Sequence, residues 1–465
     1  MQERTFDVAI LGAGPGGYPA AIRLAQKGLK VALIEAKEVG GTCLNRGCIP
    51  TKALIANAEV LYNIHNAQKF GIELGSISVD FSKMQQTKDH TVSKLRSSLQ
   101  GLIQANGITL INGFGTFVAP KKIKVSGNEP CLISAKHIII ATGSEPKEIP
   151  AFMTDGVLIH SSTSLLELKE IPKQIAIVGG GVIGCEFASL FCELGSKVTI
   201  IEMLDRLLPL ECPSISKALT LSFEKRKITV CTKAGVQAIQ KNTNSVSVQL
   251  QDGKKIDADI ALVAVGRSLN ASNIGLELAG VRVEKGAITV DDSMKTSAAD
   301  VYAIGDVVGK SLYAHVATHQ GLVAAETILG HKAKMNYNAI PGVIFTHPEI
   351  GTCGLTIDDA KKQGYDAVLS AYPFQALGKA QAAQTTEGFA QIVVDQKTGQ
   401  ILGAQVFGHE ASNLIAIMCT AITNELTLEC ITETIHAHPT LSEAWLESAF
   451  LAEKLPLHYP PLKRQ

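Results

Sequence analysis

Phe6-Asp7-Val8-Ala9-Ile10-Leu11-Gly12-Ala13-Gly14-Pro15-Gly16-Gly17 runs from an apolar stretch straight into a glycine-rich turn. Phe6 to Leu11 reads as a buried parallel strand, and glycine stands at the first, third and sixth loop positions, Gly12, Gly14 and Gly17. A helix follows to about Gly28, and Lys30 to Glu35 forms a second strand that ends in an acid. This is a βαβ unit whose loop amides and helix N-terminus suit a pyrophosphate. Glycine is needed there because a side chain would hold the backbone away from the anion. Pro19 falls in the first helical turn, where its missing N–H has no intrahelical partner to lose. One such loop is equally well a tight strand-to-helix turn.

The pattern repeats. Gln174 to Val178 is a strand, Gly179-Gly180-Gly181-Val182-Ile183-Gly184 the loop, a helix runs to about Leu194, and Lys197 to Glu202 again ends in an acid. Two copies, each with an acid roughly 20 residues on, predict two dinucleotide-binding domains, with Gly179, Gly181 and Gly184 in the second loop. Glu35 and Glu202 are expected to accept hydrogen bonds from ribose hydroxyls. A 2′-phosphate would meet like charge at Glu202, so the second site favours NAD over NADP. Arg206, four residues on, reads as a solvated residue after the strand.

Between the loops, Phe114 to Lys124 and Lys136 to Thr142 read as strands, the latter closing in Ala141-Thr142-Gly143-Ser144; Ile260 to Val265 runs into Gly266-Arg267. From about Val343 the pattern changes to short strands, Ala390 to Val394 and Ile401 to Val406, mixed with helices and no nucleotide loop. The fold class is therefore α/β: two Rossmann-like dinucleotide-binding domains plus a C-terminal α+β domain. The segments are 1–147, 148–270, 271–342 and 343–465. The proline-rich tail, Leu455 to Gln465, is expected to be extended.

The 465 residues exceed one core, and 43 basic against 43 acidic side chains leave no global field for nucleic acid or anionic lipid. The polar start is unlike a secretory signal, and no apolar run approaches the roughly 18 residues of a membrane span. Most of the ten cysteines are isolated, without the dense spacing of a secreted scaffold. A cytoplasmic setting is expected, where a disulfide is catalytic rather than structural.

Cys43 and Cys48 stand out in Gly41-Thr42-Cys43-Leu44-Asn45-Arg46-Gly47-Cys48-Ile49-Pro50. Five helical steps of about 1.5 Å separate two Cα atoms by about 7.5 Å, beyond the roughly 7 Å a disulfide tolerates. The pair can close only if the backbone leaves the helix between them, and Gly47 offers that freedom. Beside a dinucleotide loop, two such thiols point to electron transfer between a disulfide and a cofactor; the alternative is a pair of buried free cysteines. Lys52, one turn past Cys48, is placed to lower a thiol pKa or is a surface lysine. His436 and His438 lack a third ligand of fitting spacing, so no metal site is expected. His438 is a natural proton acceptor for a dithiol, and Glu443 can fix its tautomer. Cys185, beside the second loop, reads as a small buried filler.

Taken together, these residues resemble the flavin-dependent pyridine nucleotide–disulfide oxidoreductases over essentially the whole length. Gly41 to Lys52 is similar to that family's redox-active disulfide signature, Tyr302-Ala303-Ile304-Gly305-Asp306 to its second FAD motif, and His436 to Glu443 to its C-terminal active-site motif. The resemblance implies FAD held by Gly12, Gly14, Gly17, Glu35, Gly41, Thr42, Lys52, Gly115, Thr142, Gly143, Ser144 and Asp306. Leu312, Ala314 and His315 would lie near the flavin ring. It implies NAD at Gly179, Gly181, Gly184, Glu202, Ala234 and Gly266, with Glu186 close to the nicotinamide. Cys43 would meet substrate, Cys48 would face the flavin, and His438 with Glu443 would supply the base from the other subunit of a homodimer. The implied activity is oxidation of a dihydrolipoyl group with NAD as acceptor. The implied partner is a lipoylated acyltransferase subunit of a 2-oxoacid dehydrogenase complex, or a lipoylated carrier protein. Glu202 disfavours a glutathione-reductase-like member. A tail without thiols beyond Cys430 disfavours mercuric-reductase-like members. The intact Cys43, Cys48, His438 and Glu443 set argues against a purely structural subunit. Arg46 lies where relatives often carry a small apolar residue, and reads either as lowering a thiol pKa or as facing solvent.

Overall fold

The computed structural model describes residues 2–460. They form two compact units. One takes the chain up to Ile149 with Ser161–Glu170 and Gly266–Asn336; the other takes Pro150–His160, Ile171–Val265 and the chain from Tyr337 on.

The first unit is built on the strand Gln2–Leu11, flanked in parallel by Val31–Glu35 and by Cys131–Ile140. All five residues of Val31–Glu35 are buried, as befits a parallel strand covered on both faces. Thr109–Asn112 adds a parallel edge, and Val301–Ala303 pairs in parallel with the second half of Cys131–Ile140. The stretch expected to be one strand from Phe114 to Lys124 is two, Phe114–Ala119 and Lys122–Ser126, paired antiparallel. Alternating apolar residues continue through both arms, so the pattern hides the turn at Pro120-Lys121, where Lys121 has φ 59°. Helix Gly17–Gln26 starts the crossover from the first loop. Long helices Cys48–Asn66 and Phe81–Ala105 follow, the latter capped by the Asp80 carboxylate, which accepts from Lys83 N at 3.0 Å. Lys88, almost wholly buried, ties Phe81–Ala105 to the Ser161–Glu170 segment by donating to Leu166 O at 2.8 Å.

In the second unit a five-stranded parallel sheet surrounds Gln174–Val178, with Lys197–Ile201 on one side and Ile260–Val263 on the other. A separate antiparallel sheet joins Gly342–Ile344, Glu349–Gly354, Ile401–Gly408, Phe389–Asp395 and Ala367–Pro373 in that spatial order. Helices Ala411–Thr423 and Glu443–Ala452 pack on it around the fully buried Trp445. The tail is not extended where it is described. Glu447 and Tyr372 hold His458, and the Tyr459 ring lies 6.0 Å from that of Tyr372. Residues 461–465 of the tail lie outside the described residues. Among the described residues no helix is long and apolar enough to cross a membrane, and no group of His, Cys, Asp and Glu is arranged to hold a metal.

Candidate active site

The two glycine loops share a division of labour. A Cβ on Gly12 would lie 2.2 Å from Ala141 O, and one on Gly17 1.9 Å from Gly12 O. In the second loop Gly179 and Gly184 are pinned in the same way, at 2.4 Å from Ala264 O and 2.0 Å from Gly179 O. Those glycines let chain pack on chain. The middle glycines do not: Gly181 faces open space, and a Cβ on Gly14 would meet Gly41 Cα at 3.7 Å. The space a side chain would fill at the middle position is what a pyrophosphate needs, so the residues fit a dinucleotide at each loop.

The acids match atom for atom. Glu35 Oε2 accepts from Ala13 N at 2.7 Å and Oε1 from Lys37 N at 2.8 Å. Glu202 Oε2 accepts from Gly180 N at 2.6 Å and Oε1 from Leu204 N at 2.8 Å. Each carboxylate is thus fixed beside its loop. Ala234 N donates to Glu202 O at 2.9 Å, which brings Ala234 to the same corner. Arg206 is not freely solvated. It is half-buried, donates to Pro209 O at 3.1 Å and keeps its Nε buried without a partner, because its side chain turns back on its own loop. Glu186 is nearly buried and accepts from Phe345 N at 3.0 Å. Cys185 is a buried thiol that donates to Gly180 O at 3.4 Å, and burial pushes its pKa up.

Cys43 and Cys48 form a disulfide with a Cα–Cα distance of 4.6 Å. Helix Gly41–Arg46 carries the first and helix Cys48–Asn66 begins at the second, so the helix breaks at Gly47. Gly47 does not use the left-handed region; its φ is −144°. Its value is the close approach, since a Cβ there would sit 3.0 Å from Thr42 O and 3.4 Å from Cys43 Cα. Gly41, with φ 60°, has no room for a Cβ, which would fall 2.7 Å from Gly14 Cα, and Gly40 N donates to Ala13 O at 2.8 Å. The disulfide helix, with Thr42 in its first turn, is therefore packed against the first nucleotide loop. Lys52 is half-buried one turn past Cys48. Arg46 neither faces solvent nor stands as a free charge: its guanidinium pairs with Glu38 at 2.7 Å and its side chain is mostly covered.

Other expected residues converge on the first unit. Thr142 Oγ1 donates to Asn270 O at 2.8 Å, Gly143 has φ 73° and faces open space, and Gly115 lies under Leu11. Ser144 is buried and its hydroxyl donates to Asp306 Oδ2. Arg267, which the motifs did not mark as a partner, donates from Nε to Ser144 Oγ and from Nη2 to Ser144 O, both at 2.7 Å. Burial depresses the Arg267 pKa, and Asp306 opposes that shift. The Gly-Arg pair after a strand was visible; its partner Ser144, 123 residues away in sequence, was not. Gly266 groups with this unit, Lys147 N donating to its carbonyl at 3.1 Å. Leu312 is exposed just before helix Ala314–Ile328, where the Tyr313 and His315 rings stack 5.1 Å apart. Thr318, one turn into that helix, donates to Pro15 O at 2.8 Å and so clamps the first loop.

His438 and Glu443 lie in the second unit. His438 Nδ1 bonds Glu443 Oε1 at 2.8 Å, while Glu443 Oε2 accepts from Thr440 N at 2.8 Å. The imidazole ring is three-quarters exposed, which leaves Nε2 for another molecule.

Residues 6–321 match the model of the pyridine nucleotide-disulphide oxidoreductase family, and residues 340–449 that of its dimerisation domain. The chain is 50% identical to a dihydrolipoyl dehydrogenase of Chlamydia pneumoniae over 98% of its own length and 99% of the relative's. It is 39% identical to one of Bacillus subtilis, over 98% and 99%. Among solved structures, LpdA from Mycobacterium tuberculosis superposes with a TM-score of 0.91 at 26% identity, covering 97% of this chain and all of the other. The HOCl-induced flavoprotein disulfide reductase RclA from Escherichia coli gives 0.85 at 30% identity, covering 94% and 98%.

Proposed function

Because the chain belongs to the pyridine nucleotide-disulphide oxidoreductase family, we propose that it oxidises protein-bound dihydrolipoamide to lipoamide, using FAD and NAD. The observation that carries this reading is the Cys43–Cys48 disulfide seated against a nucleotide loop through Gly41 and Gly14. FAD, when bound, supplies a two-electron carrier between the dithiol and the pyridine nucleotide. The first glycine loop with Glu35, Lys52, Ser144 and Asp306 holds FAD; the second loop with Glu186, Glu202 and Ala234 holds NAD. Segments 1–147 and 271–342 serve the flavin, 148–270 the NAD, and 343–465 the dimer.

His438 Nε2 takes the proton of a substrate thiol, and Glu443 stabilises the imidazolium through Nδ1. The substrate sulfur attacks Cys43, the Cys43–Cys48 bond breaks, and Cys48 leaves as a thiolate. The second substrate thiol gives its proton to the departing Cys43 sulfur as it attacks the first sulfur, closing lipoamide and leaving Cys43 as a thiol, so the electron pair lost by the substrate resides on the cysteines. The exposure of His438 and the dimerisation-domain match support a homodimer in which His438 of each subunit serves the disulfide of the other. The partner is a lipoylated acyltransferase subunit of a 2-oxoacid dehydrogenase complex or a lipoylated carrier protein, in the cytoplasm.

The test is NAD reduction by dihydrolipoamide, run beside NADPH-dependent reduction of glutathione disulfide. Activity in the first assay alone is expected; activity only in the second sinks the proposal.

A further inference from the structure

A second pair of cysteines flanks one strand-to-helix contact in the C-terminal sheet-and-helix layer, far in sequence from the redox helix. Cys353 lies in strand Glu349–Gly354 and is almost fully buried; Cys419 lies in helix Ala411–Thr423, half-buried against the same core. Two glycines bring strand and helix together around them. A Cβ on Gly351 would fall 2.6 Å from Ala411 O and 2.9 Å from Ile415 Cβ, and one on Gly354 3.0 Å from Ile422 Cδ1. Ile415, Cys419 and Ile422 share one face of the helix at helical spacing. Bare strand backbone therefore touches that face on both sides of Cys353, which sets Cys353 opposite Cys419 within the same core cluster. Such an approach is what a strand-to-helix disulfide needs, with Cα atoms within about 4.4–6.8 Å. Cys185, Cys192, Cys212 and Cys430 each bond an oxygen atom instead.

We propose that Cys353 and Cys419 form a second dithiol, distinct from the catalytic pair, that closes to a disulfide when a hydroperoxide reaches it. The Cys353 thiol donates its hydrogen bond to Cys419, which lowers the Cys419 pKa and raises that of Cys353. Cys419 is the more accessible sulfur and so meets the peroxide first. Its sulfur attacks the peroxide O–O bond; an S–O bond forms, the O–O bond breaks, and the alcohol leaves with a proton. Cys419 is now a sulfenic acid, oxidised by two electrons. The Cys353 sulfur displaces its hydroxyl, the S–S bond forms as the S–O bond breaks, and the Cys353 proton leaves in water. The product ties the helix to the sheet of the dimerisation domain and is reversed by dithiothreitol.

The test treats the intact FAD-loaded protein with hydrogen peroxide, blocks remaining thiols with N-ethylmaleimide under denaturing conditions, and maps tryptic peptides by mass spectrometry. The expected product joins peptide 335–361, which holds Cys353, to peptide 398–454, which holds Cys419 and Cys430. Cys430→Ser should keep that cross-link and Cys419→Ser should remove it. Alkylated Cys353 and Cys419 after peroxide, or Cys419 driven to sulfinic acid with Cys353 free, overturns the proposal. So does a cross-link that survives Cys419→Ser. The readout is independent of catalysis, so it stands or falls apart from the dihydrolipoamide reading.

Discussion

His438 and His458 both bond the helix Glu443–Ala452 region through Nδ1 at 2.8 Å, one to Glu443 Oε1 and the other to Glu447 Oε1. The two carboxylates are one helical turn apart, and the two imidazoles are about equally exposed, at 76% and 75%. What differs is the rest of each carboxylate's surroundings. Glu443 also takes Thr440 N, and Thr440 Oγ1 donates to Ala437 O at 2.8 Å, so a closed turn sets the His438 ring from both sides. Glu447 is more deeply buried, takes His458's own N at 3.3 Å, and shares His458 with Tyr372, whose hydroxyl donates to the His458 carbonyl at 3.1 Å. The same chemical pair orients a ring in one place and anchors a chain segment in the other. The second carboxylate oxygen decides which.

Breaking the first pair should cost most. His438→Gln is expected to slow dihydrolipoamide oxidation by roughly 10²–10⁴-fold, the usual contribution of a positioned base, while electron transfer from NADH to an artificial dye stays nearly unchanged. Equal losses in both assays would remove the base role. Glu443→Gln keeps the imidazole but weakens its orientation, for a loss on the order of 10- to 100-fold. His458→Gln should leave the same rate intact; a comparable drop there would erase the distinction. Glu447→Ala acts on stability instead, lowering the urea midpoint by the equivalent of about 1 kcal/mol at most, since its His458 partner is largely in water. An unchanged midpoint would mean that the tail is not anchored through Glu447.

His438 and Glu443 could be paired by reading six residues, because one tight turn joins them. His458 and Glu447 could not, since their pairing requires the tail to fold back, and a run with prolines reads as extended. The same contrast separates the cysteines: Cys43 and Cys48 lie 5 apart in the chain, whereas Cys353 and Cys419 share a core only once a helix packs on a sheet. The glycine loops were legible because backbone geometry alone dictates glycine there. The Arg267–Ser144–Asp306 set was not, because Ser144 lies 123 residues from Arg267 and 162 from Asp306. The hairpin hidden in Phe114 to Lys124 was missed for a local reason, an alternating pattern that continues through the turn.

The smallest effect is a pH dependence that only the second pair should show. The hydrogen bond to Glu447, then its charge, raises the His458 pKa above the ordinary histidine value, against weak desolvation and with a further push from Glu443. A raised folded-state pKa means that the stabilisation is fully present below the unfolded value of about 6.5 and fades as pH rises through the folded one. Tyr372 also faces the segment, and burial pushes its phenol pKa up to about 12, well above that window. Because the His458 ring is largely in water, screening keeps the effect small. It should therefore appear locally, as faster deuterium uptake at residues 455–460 when pH is raised from below 6.5 to above 8, after correction for intrinsic exchange. His458→Gln should flatten that dependence, whereas His438→Gln should leave it in place. A tail whose corrected protection is constant with pH in the wild-type protein would show that neutral His458 holds it as well as the cation does. The anchor would then rest on Tyr372 and backbone contacts rather than on charge.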